Sequence, residues 1–246
     1  MLAARQQIYD QDARTVFLNA NPGQQKLGQV AETPDGRAYQ YGLAGATNLV
    51  AGSVTSPVAK STNSVAQTGT ANAIGTTAIT YTVGATAITA DQFKGGYFCV
   101  TTGPGQNVYL IVGNTAVASA GGSITVTIAD GGLTVATTTS SLFTLLQHPQ
   151  ANVVIQPEAS APNTIAVGVP NVAVTGTYYF WNQVGGYCSV LADGVTAKGA
   201  YGIASTNTNG AVITAGTSTI TQFIGYAPEA SVTAIFWPFV LTLPLQ

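Results

Sequence analysis

Ionisable side chains are scarce here: 7 Lys and Arg plus 9 Asp and Glu, or 7% of 246 residues, where a soluble domain carries about 25%. Half of them (Arg5, Asp10, Asp12, Arg14, Lys26, Glu32, Asp35 and Arg37) fall before residue 38. With net charge −2 there is no basic field to attract a polyanion, which argues against direct nucleic-acid binding. The single histidine, His148, and two distant cysteines, Cys99 and Cys188, give no metal-ligand spacing. No Gly-x-Ser-x-Gly elbow is present, and Asp130, Glu158, Asp193 and Glu229 have no spacing that pairs two carboxylates, so no enzyme activity is expected.

Long apolar runs are missing too. Ala234–Leu245, the longest, is broken by two prolines and is well short of the roughly 20 residues of a spanning helix. No membrane partner is expected. The first ten residues hold no apolar h-region, so synthesis without a secretory signal is expected, with both cysteines buried and reduced. Asp35-Gly-Arg37 reads as a tight turn, and Gly103-Pro-Gly105 as a hairpin tip between strands, where no helix follows to cradle a phosphate.

Helical periodicity is confined to a turn or two in Leu2–Ala13 and a capping-box turn at Thr89-Ala-Asp-Gln92. Hydrophobic residues nevertheless make up 46% of the chain, enough for a substantial core. Ile79, Tyr81 and Val83 alternate with threonines, and Ser123–Ile128 repeats the pattern. Tyr97–Val100 and Asn107–Val112 flank the Gly103-Pro-Gly105 tip. Further strands are expected at 152–155, 164–167, 211–213, 219–224 and 232–241. The fold class is all-β, with one or two small barrel or sandwich domains.

Composition divides the chain into an extended N-terminal arm (1–37, with the turn Asn21-Pro-Gly23), an aromatic-rich body (38–57 and 150–246), and a second, inserted barrel (58–149). In Tyr178-Tyr-Phe-Trp181 neither face is polar, so this strand must be covered on both sides, by its own fold or by another subunit. A surface of Thr, Ser, Asn, Gln and Gly in place of ions suits permanent packing against neighbours. The residues expected at contacts are Tyr178, Phe180, Phe236 and Trp237 in the body and Arg14, Phe17 and Tyr39 towards the arm.

Lys26-Leu-Gly28, Pro34-Asp-Gly-Arg37, Tyr39-Gln-Tyr41, Ala44-Gly-Ala46 and Leu49-Val-Ala-Gly52 together resemble the N-terminal signature of tailed-bacteriophage head decoration or cement proteins. The resemblance continues through 87–97, Tyr178–Gln183, Val190–Gly194 and Ile224–Ala227. It implies a β-barrel auxiliary capsid protein on the capsid exterior of the virion, frequently a homotrimer. Its partners would be the major capsid protein and copies of itself, and it would use no cofactor. The other readings are a head- or tail-fibre adhesin whose rings stack on cell-surface glycans, and a major shell or tail-tube subunit.

Overall fold

A computed structural model describes residues 6–18, 25–129, 131–157, 165–215, 222–231 and 235–245. Asn21-Pro-Gly23, Asp130, Glu158 and the first residues of the strands expected at 164, 219 and 232 lie outside these. The chain is all-β. Its only α-helix among the described residues is α1 (Asp10–Ala13), where the Tyr9 amide donates to the Asp12 carboxylate at 3.0 Å.

The chain divides into two units, one of residues 1–58 and 149–246 and the other of residues 59–148. In chain order the first unit opens with strands β1 (Gln6–Gln7), β2 (Val16–Phe17), β3 (Val30–Glu32), β4 (Ala38–Leu43) and β5 (Thr55–Ser56). The second unit holds β6 (Gln67–Thr68), β7 (Ala78–Val83), β8 (Tyr97–Thr102), β9 (Asn107–Asn114), β10 (Gly122–Ile128) and β11 (Leu142–Leu146). The first unit then resumes with β12 (Val154–Ile155), β13 (Val169–Pro170), β14 (Tyr179–Leu191), β15 (Tyr201–Ala204), β16 (Val212–Thr214), β17 (Gly225–Tyr226) and β18 (Phe236–Thr242).

Strands β7 and β10 follow the alternation read from the sequence, and β8 and β9 form the expected hairpin, with Gly103 and Gly105, both at positive φ, at its tip. Thr89–Gln92 is a single turn, with the Gln92 side chain accepting from the Thr89 amide at 2.9 Å. Two expected strands differ. Residues 165–167 and 222–224 form none: Ala166 bonds both ways to the Gln222 side chain in place of a neighbouring strand, and Ile224 donates to Gly202 O and accepts from Thr242 N.

The unit of residues 59–148 is a six-stranded sheet in the order β6-β11-β8-β9-β10-β7. It curls until the Thr70 hydroxyl, just past β6, donates to Thr80 O on β7, leaving a nearly closed barrel. Edge-to-face packing of Phe143 on Phe98 (4.9 Å) and on Tyr81 (5.1 Å) fills its centre.

In the other unit β14 is the spine, pairing with β4, β2 and β13 along its first half and with β18 along its second. Its aromatic run is covered on both sides by its own unit. Tyr179 and Trp181 join Tyr41, Ile8 and Ala13, while Phe180 joins Leu49, Val153 and Val174 on the opposite face. The expected extended arm is therefore corrected for the described residues. Gln6–Leu18 folds back because its apolar positions Ile8, Ala13 and Phe17 are what cover Trp181, through β1 paired with β3 and β2 paired with β14. The turn at Asp35-Gly-Arg37 forms, with Gly36 at positive φ and its amide donating to Thr33 O.

Candidate interaction face

Apart from Tyr9 and Tyr97, the exposed aromatic residues come from the second half of the β14 spine and the strands and segments beyond it. The register places Tyr187 of β14 opposite Val240 of β18, Val240 opposite Tyr226 of β17, and Tyr226 opposite Tyr201 of β15. Directly opposite residues of antiparallel strands share a face, so these side chains form one outward row. Phe223 extends it, its ring 5.2 Å from that of Tyr201. Tyr187 is 64% and Tyr201 60% exposed, and Tyr226 and Phe223 are also exposed. Further along β18, Pro238 and Phe236 carry the same face past Ser189 and Leu191 of β14.

The row points outward because of what lies beneath it. On the inner face Phe239 packs in a core with Cys188, Val190 and Leu241. The residues beside Tyr201 and Tyr226 are Gly202 and Gly225, and a Cβ at Gly202 would collide with Phe239 and Val212. Glycine inside and tyrosine outside is the only division of that pair the Phe239 ring permits.

No Asp, Glu, Lys, Arg or His occurs in β14, β15, β16, β17 or β18. Tyr187, Tyr201, Tyr226, Phe223 and Phe236 together expose roughly 500 Å², taking about 150–250 Å² for a whole aromatic side chain. That lies within the range of the largest patch of an ordinary monomer, about 300–600 Å². At about 25 cal/mol per Å² its burial is worth on the order of 12 kcal/mol, comparable to the roughly 4–15 kcal/mol that association costs. The arrangement can bind protein by exclusion of water. Besides the three phenolic hydroxyls, Ser189 is the hydrogen-bonding side chain on this row of β14, and no carboxylate occurs in these strands, a poor equipment for orienting a sugar.

Of the residues expected at contacts, Phe236 lies on this face and is exposed. Trp237 is half-buried, its indole donating to Glu229 O at 3.2 Å. Tyr178 packs against the cluster around Phe180, and Phe17 against the one around Tyr41. Phe180 and Tyr39 are corrected as contact residues, since both are buried within their own unit and cannot meet a partner in this fold. Arg14 is exposed and pairs with Asp10 at 3.0 Å. Tyr187, Tyr201 and Tyr226 were not singled out from the sequence. The signal was the recurring Gly-Tyr adjacency at 186–187, 201–202 and 225–226.

Two carboxylates of this unit have local partners. Glu229 pairs with Lys198 at 2.7 Å, and the Asp193 carboxylate accepts from the Ser205 hydroxyl. Cys99 and Cys188 are buried and free. Burial pushes the Cys188 thiol up to about 12, and it donates weakly to the Asn171 carbonyl oxygen at 3.4 Å. Among the described residues no group of three His, Cys, Asp or Glu could hold a metal ion, and no helix is long and apolar enough to cross a membrane. Comparison with known proteins gives no match to this chain among family models, curated proteins or solved structures.

Proposed function

We propose that this chain is a virion structural protein of the auxiliary-capsid kind, a decoration or cement protein. It binds the outer surface of a tailed-phage capsid as a homo-oligomer and braces neighbouring capsomers by non-covalent contact, without enzymatic activity. The observation that carries this reading is the outward aromatic row Tyr187–Tyr226–Tyr201. It is large, free of charge and borne on a sheet whose hydrogen bonds are already made, so burial against protein is the chemistry it offers. The resemblance of Pro34–Arg37, Tyr39–Tyr41 and Leu49–Gly52 to the signature of such proteins points the same way. A contact repeated over a lattice needs only modest strength at each site.

The test is add-back of the purified chain to undecorated tailed-phage capsids, with bound protein measured by co-sedimentation. The expected result is saturable binding, abolished by the triple substitution Tyr187→Ser, Tyr201→Ser, Tyr226→Ser in a chain whose thermal unfolding is unchanged. Failure of the unsubstituted chain to bind would overturn the reading. Binding to a glycan array, lost in the same triple variant, would assign the exposed rings to a fibre adhesin instead.

A further inference from the structure

Strand β14 changes partners partway along its length. It pairs with β4 as far as Gly185, opposite Ala38, and with β18 from Gly185, opposite Thr242, onward. Its register against β4 slips between Gln183 and Gly185, and Gly186 takes φ +80°. Because β4 begins at Ala38, it does not flank Tyr187. In an antiparallel sheet the N–H and C=O of a residue point to one side, and alternate residues along the strand share that side. Leu191 N donates to Gly52 O at 2.9 Å, away from β18. The Tyr187 carbonyl, four residues back, therefore also points away from β18, to the side that β4 has left. The parity of β18 agrees: Thr242 N bonds outward to Ile224 O at 2.9 Å, so Val240, opposite Tyr187, turns its own groups towards β17. The Gln183 side chain takes the place of the missing strand. Its Nε2 donates to Tyr187 O at 2.8 Å and to Gly185 O at 3.0 Å. Gln183 is buried, and both of its amide hydrogens are used.

We propose that Gln183 is the positioning residue of the outward aromatic row. By standing in for β4 at Tyr187 it locks the bend of β14 and holds Tyr187 outward, in line with Tyr226 and Tyr201. Gly185 and Gly186 carry no Cβ and leave the backbone free at the bend. A slip of one residue against β18 would turn Tyr187 inward and bring Cys188 out. One nitrogen bonded to the carbonyls on both sides of Gly186 excludes that slip. The chemistry selects glutamine: ionised glutamate has the reach but no donor, methionine has the length but no donor, and asparagine is one methylene too short. The inference rests on the reading above for what the row contacts, and not for how the row is held.

The experiment uses the intact chain, with hydrogen exchange read amide by amide. The Gly186 and Cys188 amides face β18 beyond the bend, and Trp181 lies before it. In Gln183→Met the first two are expected to exchange about tenfold faster, with Trp181 unchanged. Gln183→Glu is expected to match Gln183→Met at about pH 7.5. It should recover protection, relative to the unsubstituted chain at the same pH, once its carboxyl is protonated and donates to Tyr187 O. A residue that only fills space gives no such recovery, and the glutamate variant carries the test alone if Gln183→Met does not fold. Binding to undecorated capsids is expected to weaken about tenfold in Gln183→Met. The proposal is overturned if exchange at Gly186 and Cys188 does not change, if Trp181 accelerates equally, if Gln183→Glu recovers nothing at low pH, or if capsid binding is unaltered. Absence of binding by the unsubstituted chain, with the exchange results intact, would sink the capsid reading alone.

Discussion

The Arg37 guanidinium lies 2.7 Å from the Asp10 carboxylate, and this ion pair ties helix α1 to the hairpin of β3 and β4. Asp35 holds the same guanidinium from the other side at 2.8 Å. The Arg37 side chain is 19% exposed, so the pair is better shielded than a surface bridge. Arg37→Met is expected to lower stability by about 1 kcal/mol. It should also speed hydrogen exchange of the Ile8 amide, which donates to Glu32 O. Unchanged exchange at Ile8 would show that apolar burial alone seats Gln6–Leu18.

Asp35 titrates below its ordinary value, chiefly because the Thr33 hydroxyl donates to it at 2.6 Å, with Arg37 adding to the effect. A carboxyl lowered in the folded state contributes stability that is present above its unfolded pKa of about 3.9 and is lost as pH falls through the folded one. Thr33→Val is expected to raise the Asp35 midpoint in a carboxyl-detected NMR titration. A midpoint that does not move would assign the shift to Arg37.

His148 shows the same sign from a different cause, since burial lowers its pKa by disfavouring the imidazolium. A base lowered in the folded state contributes stability that is present above about pH 6.5, its unfolded value, and is lost as pH falls below it. As the only histidine of the chain, it predicts one isolated step. Denaturant midpoints followed from pH 7.5 to 5 should fall in the native chain, and the step should vanish in His148→Asn.

Beneath β14 lies a wholly buried polar network. The Asn182 amide donates to the Gln150 side-chain carbonyl oxygen at 3.1 Å and to the Thr55 hydroxyl at 3.0 Å, and Gln150 donates to the Gln40 side chain at 3.1 Å. Asn182→Ala strands these partners away from water and is expected to cost about 2–3 kcal/mol by urea unfolding. Gly168→Ala should be equally damaging, because its Cβ would collide with the Asn182 amide. A loss below about 0.5 kcal/mol in Asn182→Ala would mean that water replaces the missing amide, and one that small in Gly168→Ala that the Asn182 side chain can shift without losing its bonds.

The strands of the inserted barrel were legible because half-buried strands write their period directly: β7 alternates buried Ile79, Tyr81 and Val83 with exposed threonines. The double burial of Tyr179–Trp181 was legible for the same reason, but not what covered it. Ile8, Ala13 and Phe17 are too few and too irregularly spaced to declare a face, and their charged neighbours Asp10, Asp12 and Arg14 gave the segment the look of a solvated arm. The interaction face was hidden by register. Tyr187, Tyr226 and Tyr201 come from strands scattered over forty residues, β17 has only two residues, and their alignment depends on Phe239 fitting over two glycines, a long-range fit that no local pattern records.

The nested order of the two units also sets a timetable on the ribosome. The inserted barrel is complete once His148 has emerged, and it can fold while later residues are still being made. The spine β14 takes partners from far before and far after it, Ala38–Leu43 on one side and Phe236–Thr242 on the other, so its unit closes only once Thr242 has emerged. Until then Tyr39 and Tyr41 wait uncovered, and a barrel already closed between the two halves of the unfinished unit keeps the nascent chain short of further sticky strands.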